Sequence, residues 1–336
     1  MSAGEPAQTI FFGGGTPSLL EPAQLETILT GLRTGFSIAA DAEISLEANP
    51  GTVTLEKLAA FRSLGINRVS FGIQSFHDAD LRFLGRIHDG MQALECLALA
   101  RAAGFGNVGL DLIYGIPGQT LPGWDENLRR AVDLGPEHLS AYSLIVEEHT
   151  PLHRMVEAGR VQVIPTDLEA ALYERAMERL EAAGYEHYEV SNYALPGFRC
   201  RHNGAYWSHQ AYLGLGPSAH SFRPPDDGKH ARRWWNVADL GEYGARLARG
   251  VVPVESEEQL GSAQLLRERI FLGLRSGGLS LDRLASDFGE GWLAEREAIL
   301  RALADEGLAT LEGPRLRLTR RGFVLCDEIG ARLCSG

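Results

Sequence analysis

Short apolar segments alternate with amphipathic helical stretches through the first 150 residues, and this alternation limits the fold more than any other feature. The predicted elements are strands at 9–12, 43–47, 68–73, 108–114 and 138–146, with helices between them at 22–32, 55–64, 91–103 and 124–134. Strands and helices that alternate in this way form a parallel sheet with helices outside it, as a barrel or a doubly wound sheet.

Polar residues stand at the ends of four predicted strands, at Thr16, Glu47, Gln74 and Asp111. Any one of them alone could be a turn residue of the sheet. The carboxyl ends of the strands of a (β/α) barrel form the rim where ligands bind. Four polar residues in successive units therefore favour a barrel with a ligand site at that rim.

The remainder of the chain differs in composition. Residues 185–222 are rich in aromatic residues, His and Gly and are expected to extend the barrel domain, which we place at 1–222. Residues 223–250 are predicted to be a connecting loop. Residues 251–336 show helix, helix and hairpin patterns, which predict a small winged-helix-like α+β domain.

Charge and composition exclude several classes of protein. The net charge of −12 argues against a nucleic-acid binder, whose binding face would be basic. No apolar run is long enough to span a membrane, and the first residues do not resemble a signal peptide. Four scattered cysteines do not make a disulfide framework. These features predict a cytoplasmic protein.

Five motifs occur in order along the first 120 residues, and together they identify a family. They are FGGGTPS at 12–18, EANP at 47–50, SFGIQSF at 70–76, LGRIH at 84–88 and DLIYGIPG at 111–118. The set resembles the oxygen-independent coproporphyrinogen oxidase-like family of radical S-adenosylmethionine proteins. The resemblance implies a radical S-adenosylmethionine barrel followed by the family's C-terminal winged-helix module.

The resemblance also implies which residues contact S-adenosylmethionine. Gly14, Gly15 and Thr16 match the loop that holds the methionine amino group of this cofactor. The family positions that contact the rest of the cofactor correspond to Glu47, Gln74, Arg86, Asp111 and, as an apolar contact, Ile145. Carboxylates suit the sulfonium and ammonium groups of the cofactor, and a guanidinium suits its carboxylate.

A second motif, His-Asn-x-x-Tyr-Trp at 202–207, resembles the HemW subgroup of heme chaperones within this family. There the motif is associated with heme, so His202 is a candidate axial ligand, and Tyr206 and Trp207 offer flat apolar surface to the porphyrin. His202 could instead brace a buried aromatic cluster. His220 is a competing ligand, and Cys200 is either an iron-binding thiolate or a buried inert thiol.

The family binds a [4Fe–4S] cluster through a Cys-x3-Cys-x2-Cys motif ahead of the glycine loop, and this sequence does not contain that motif. Either the chain begins after the first β/α unit, which we favour, or it is a natural relative without the cluster. We therefore expect a partial barrel that lacks its first β/α unit. We also expect the chain as given to lack radical activity, since no plausible ligand set replaces the cysteines.

Three functions compete. The motif at 202–207 favours a heme chaperone that binds heme and S-adenosylmethionine and delivers heme to target proteins, membrane-associated ones included. The alternative is oxygen-independent coproporphyrinogen III dehydrogenase, which decarboxylates propionate side chains in porphyrin biosynthesis. A radical methyltransferase is the more distant third. The sequence leaves open whether the protein forms a homodimer.

Overall fold

The computed structural model describes residues 5–225 and 230–335 of the chain. They form two compact units, one of residues 6–202 and one of residues 203–335 together with Glu5. No helix within the described ranges is long and apolar enough to cross a membrane.

The first unit is built on a seven-stranded sheet. Its strands are β1 (Ala7–Phe12), β2 (Ile38–Ala48), β3 (Arg68–Gln74), β4 (Val108–Tyr114), β5 (His138–Ser143), β6 (Glu186–Glu189) and β7 (Asn192–Ala194). Their order is β1-β2-β3-β4-β5-β7-β6. Strands β1 to β5 are parallel, whereas β7 is antiparallel to both β5 and β6. The predicted partial (β/α) barrel is confirmed.

Helices connect successive strands of this sheet from β1 to β6. They are α1 (Pro22–Gly35), α2 (Leu55–Ser63), α3 (Asp78–Phe83), α4 (Gly90–Ala102), α5 (Leu121–Leu134), α6 (Pro151–Glu157) and α7 (Thr166–Ala182). Local sequence explains where several begin: Asp89 and Thr120 accept backbone N–H bonds at the starts of α4 and α5. The core between helices and sheet contains fully buried side chains such as Phe71, Leu112 and Trp124.

Two small antiparallel sheets and seven helices, counted over the described residues, complete the chain. The strands are β8 (His220–Arg223), β9 (Ala231–Asn236), β10 (Val254–Leu260), β11 (Leu279–Ser280), β12 (Ala309–Glu312) and β13 (Arg315–Leu318). The helices are α8 (Arg201–Trp207), α9 (Leu240–Ala248), α10 (Ser262–Leu274), α11 (Leu281–Phe288), α12 (Glu290–Asp305), α13 (Arg320–Val324) and α14 (Cys326–Cys334). Helices α11 and α12 followed by the β12–β13 hairpin match the predicted winged-helix-like arrangement.

The segment 223–250 differs from the predicted loop. It contains β9, which pairs with β8 and β10, and most of it beyond that strand is the helix α9. Asp239 caps α9, and Leu240, Tyr243 and Leu247 recur at helical spacing, a signal that the loop prediction overlooked. Residues 226–229 of the predicted loop lie outside the described residues.

Candidate functional site

The glycine loop follows β1 directly and approaches the end of β2. Gly14 and Gly15 have φ values of 75° and 60°, which glycine adopts without steric cost. The backbone N–H of Gly14 donates a hydrogen bond to Oε2 of Glu47 over 3.3 Å. A Cβ atom at Gly13 would lie 2.5 Å from the Phe11 ring and 3.2 Å from Glu47 Oε2. A side chain at Gly13 would therefore collide with the Phe11 ring and crowd the Glu47 carboxylate, whereas the glycines leave the loop's backbone exposed.

Thr16 ends this loop and begins the short 3-10 turn Pro17–Leu19. Its hydroxyl accepts a hydrogen bond of 3.4 Å from the side-chain amide of Asn49, the residue after β2. The structure thus brings the first two predicted groups, the glycine loop and Glu47, to one edge of the sheet.

Glu47 on β2 and Asp111 on β4 are carboxylates with raised pKa values. Burial raises the pKa of Glu47 and the negative charge of Asp111 raises it further, while the Gly14 N–H and Arg68 oppose both effects. Burial also raises the pKa of Asp111, opposed by hydrogen bonds from Ser140 and Ser70 and by the charge of Arg68. Desolvation makes the ionised form of both groups less favourable. A bound cation would offset this cost through its attraction to the carboxylates.

Asp111 lies deeper than predicted. It occupies the middle of β4 instead of its end, and its carboxylate accepts hydrogen bonds from Ser140 Oγ at 2.7 Å and Ser70 Oγ at 3.1 Å. These two serines stand on the strands at either side, β5 and β3. Three strands therefore fix the position of one carboxylate.

Gln74 ends β3 in an unusual backbone conformation. Its φ is 65°, and the N–H of Ser75 bonds to the carbonyl of Ile73 over 2.7 Å, which closes a tight turn. A Cβ atom at Gly72 would come within 2.8 Å of Gln74 Nε2. The glycine in the Ser-Phe-Gly-Ile-Gln motif thus leaves room for the glutamine side chain.

Arg86 follows α3 and is half-buried. Burial lowers the pKa of its guanidinium, and its Nε atom is buried without a hydrogen-bond partner among the described residues. An unsatisfied buried donor is uncommon in folded proteins and suits a site that binds an acceptor group. Ile145, by contrast, lies beyond the end of β5 with 72% of its surface exposed.

Sequence reasoning missed a row of polar residues on one face of the sheet. Glu43, Ser45 and Glu47 alternate along β2, and Ser45 pairs in register with Arg68 of β3. Alternate residues of a strand point to the same face. This two-residue period of polar side chains was the signal that could have revealed them.

Among these missed residues, Glu43 makes several hydrogen bonds to the segment at the start of α8. Its carboxylate accepts backbone N–H bonds from Arg201 and His202, both of 3.1 Å, and lies 3.5 Å from the thiol of Cys200. A buried acid on β2 therefore holds the first residues of α8. Nearby Arg68 is buried; burial alone would lower its pKa, but the charges of Cys200, Glu43, Tyr188 and Asp111 raise it overall.

His202 packs on β1. Its Nδ1 lies 2.9 Å from Thr9 Oγ1, and its ring stacks on Phe11 with centroids 4.8 Å apart and planes 13° apart. Burial lowers the pKa of the imidazole, the charge of Glu43 opposes that effect, and Arg68 adds to it. In the tautomer in which Nδ1–H donates to the Thr9 hydroxyl, the lone pair that could bind iron is on Nε2.

The other predicted heme residues vary in environment. Tyr206 is 40% exposed and meets the ring of Tyr212 edge-on at 4.5 Å. Trp207 ends α8 and is half-buried. His220, the competing ligand, stacks on Trp235 with centroids 5.7 Å apart. Cys200 is 1% exposed, as the inert-thiol interpretation predicts.

The partial barrel, the glycine loop and the carboxylates of Glu47 and Asp111 are typical of the radical S-adenosylmethionine class. Family models agree: residues 2–131 match the radical SAM superfamily and residues 260–325 match the HemN C-terminal domain. The structure also resembles that of coproporphyrinogen III oxidase (HemN) from Escherichia coli, with a TM-score of 0.79 and 24% identity over 99% of this chain and 79% of that one. That likeness shows the fold alone.

Curated relatives identify the family within this class. The chain is 42% identical to the heme chaperone HemW of Mycobacterium tuberculosis, over 96% of this chain and 79% of that protein. It is 35% identical to the heme chaperone HemW of Bacillus subtilis, over 97% of this chain and 85% of that protein. The chain belongs to the HemW family.

The two cofactors of the superfamily fit the described residues unequally. The open glycine loop, the raised pKa values of Glu47 and Asp111 and the unpartnered Nε of Arg86 suit a ligand that carries both cationic groups and a carboxylate. Within residues 5–225 and 230–335, no group of three or more His, Cys, Asp or Glu side chains could hold a metal ion. These residues therefore suit S-adenosylmethionine and offer no ligand set for a [4Fe–4S] cluster.

Proposed function

We propose that this chain is a heme chaperone that binds heme at α8 and S-adenosylmethionine at the rim of the sheet. It passes heme to heme-accepting proteins, membrane-associated ones included, in the cytoplasm. The observation that carries the proposal is the environment of His202, whose pKa is lowered by burial and whose ring contacts Thr9 and stacks on Phe11. The likeness to curated heme chaperones over nearly the whole chain supports it.

The chain's own residues hold the cargo in this proposal. His202 supplies the axial imidazole, while Thr9 and Glu43 fix its ring and the start of its helix. Tyr206 and Trp207 offer flat apolar surface for the macrocycle. In transfer, a ligand of the acceptor protein would replace His202 at the iron.

S-adenosylmethionine binds at the rim in the same proposal. The backbone of Gly14 and Gly15 and the hydroxyl of Thr16 take its ammonium end, while Glu47 and Asp111 compensate its positive charges. Gln74 and Arg86 bind its polar groups and Ile145 contacts its apolar part. In radical enzymes of this superfamily the cofactor supplies a deoxyadenosyl radical; here we assign it the role of a bound modulator.

Heme titration followed by the Soret band tests the heme site. We expect the wild-type protein to bind hemin, and His202→Ala to change the position of the Soret band and to weaken binding. His220→Ala tests the competing ligand, and His153→Ala on α6 is the matched control, expected to match the wild type. A His202→Ala spectrum and affinity equal to those of the wild type would remove His202 from the site.

Calorimetric titration with S-adenosylmethionine tests the rim. Glu47→Gln keeps an acceptor for the Gly14 N–H but removes the charge, so we expect affinity to fall about tenfold. Glu56→Gln on the exposed start of α2 is the matched control. Equal affinities of the wild type and Glu47→Gln would contradict the assignment of Glu47.

A further inference from the structure

A cavity of about 370 Å³ lies within residues 203–335, between α10 and the strands β8 and β9. This volume falls in the range of small-molecule sites, about 300–1,000 Å³. The side chains that line it fall into two groups, aromatic and charged. We call it the arginine cavity, after the three arginines Arg233, Arg267 and Arg275 on its wall.

The aromatic group supplies flat surface. Tyr206 meets Tyr212 edge-on at 4.5 Å, and Tyr212 in turn stacks on Phe222 at 6.1 Å. The guanidinium of Arg275 lies 5.4 Å from the ring centroid of Phe271. Rings and guanidinium planes of this kind accept a further flat apolar or conjugated group against them.

The charged group is predominantly positive. Glu268 is the one carboxylate among the lining side chains of the described residues, and Arg233 donates two hydrogen bonds to it, of 2.8 and 2.7 Å. His209 Nε2 lies 2.9 Å from the same carboxylate. The charge of Glu268 is therefore already compensated, so within the cavity lining it leaves the positive charge of Arg267 unneutralised.

Arg267 differs from the other two arginines. Arg233 is ion-paired with Glu258 and Glu268, and Arg275 with Asp327. Arg267 is exposed, and no hydrogen bond or ion pair joins it to another described residue. A long unpaired guanidinium on the wall of a cavity is a donor fork available to a carboxylate.

We propose that the arginine cavity binds the propionate carboxylates of heme, with Arg267 as their principal partner. The proposal rests on the proposed heme-chaperone function and names the side chains that recognise the acidic edge of the cargo. Tyr206, which belongs to the predicted heme motif, lies on the wall of the same cavity. The local positive charge also explains how a chain of net charge −12 accepts an anionic ligand.

Titrations of the full chain with hemin and with hemin dimethyl ester, followed by the Soret band, test this proposal. The ester keeps the iron and the macrocycle but removes both negative charges. We expect the wild type to bind hemin about tenfold more tightly than the ester, the effect of a lost charge-assisted pair. Arg267→Ala should weaken hemin binding about tenfold and leave ester binding and the Soret position unchanged.

Arg249→Ala is the matched control, since Arg249 is also exposed, lies in the same unit and does not line the cavity. We expect it to bind both ligands as the wild type does. Equal hemin affinity of Arg267→Ala and wild type, or equal wild-type affinity for hemin and ester, would overturn the inference and leave the chaperone function standing. Failure of the wild type to bind either ligand would overturn both.

Discussion

At the scale of single residues, the Thr9 hydroxyl contacts Nδ1 of His202 and is able to accept from it or donate to it, so the iron-binding tautomer of the proposed site is the one in which Nδ1–H donates to Thr9. The hydroxyl lies 2.9 Å from Nδ1, and burial favours the neutral ring by lowering its pKa. We expect Thr9→Val to raise the population of the Nε2–H tautomer, because Nδ1–H loses its acceptor. Heme affinity should fall about tenfold, as it does when the outer partner of a metal-binding histidine is removed.

Nitrogen NMR of the imidazole rings measures the tautomer. His209 provides an internal control, because Arg269 donates to its Nδ1 and its Nε2 bonds to Glu268, the opposite arrangement. We expect the His209 signals to be the same in wild type and variant. An unchanged His202 tautomer and heme affinity in Thr9→Val would show that Thr9 does not orient the ring.

Glu189 on β6 is buried at 1% exposure, and burial raises its pKa to about 7, opposed by the Ser191 N–H and Asn192. The pKa is higher in the folded than in the unfolded state, so its contribution to stability is full below the unfolded value and is lost as pH rises through about 7. The wild type loses this contribution as pH rises, whereas Glu189→Gln does not. We therefore expect the free energy of unfolding of Glu189→Gln, relative to that of the wild type, to rise by about 3 kcal/mol between pH 4 and pH 8.

Urea unfolding at both pH values measures this difference. Glu26→Gln, an exposed substitution on α1, should show no such change with pH. A constant difference between Glu189→Gln and wild type across the range would mean that folding does not raise the pKa of Glu189.

At the scale of elements, the sequence predicted the strands and helices of the first unit because their signals are local. Apolar residues recur at helical spacing in α1, and β4 is the continuous apolar run that a buried parallel strand requires. The prediction failed at β9 and α9, where arginines and prolines nearby obscured a paired strand and an amphipathic helix. It also missed Glu43, whose role depends on residues 158 and 159 positions away.

The site shows the same division. The motifs predicted that the glycine loop and Glu47 belong together, and the structure joins them through the Gly14 N–H. The serines that hold Asp111 were not predicted, because their function depends on strand register and not on any local pattern. Long-range register is the information that a single sequence does not display.

Glu43 joins β2 to α8, and its removal tests that connection. Glu43→Ala leaves the N–H groups of Arg201 and His202 without their acceptor and takes a negative charge from buried Arg68. We expect the free energy of unfolding to fall by about 3–5 kcal/mol. Urea unfolding measures it, with Glu26→Ala, an exposed substitution on α1, as the control. A loss of less than about 1 kcal/mol would show that water replaces the carboxylate without cost.

At the scale of the whole molecule, the two units have cores of their own. One hydrophobic cluster draws all its buried members from residues 270–333, among them Leu303 and Ile329. The sheet unit buries its own set, including Leu112 of β4. Each core is formed by one segment of the chain. A substitution that creates a cavity in one core should therefore lower the free energy of unfolding of that unit more than that of the other.

Leu303→Ala and Leu112→Ala are the matched pair that tests this. Both side chains are 0% exposed, so each substitution should cost its unit about 3 kcal/mol. We expect Leu303→Ala to accelerate amide hydrogen exchange up to about a hundredfold in α10, α12 and α14 while β3 and β4 keep the wild-type rates. Leu112→Ala should show the reverse. If either variant accelerated exchange equally in both units, the two units would unfold together as one cooperative body, even though each has its own core.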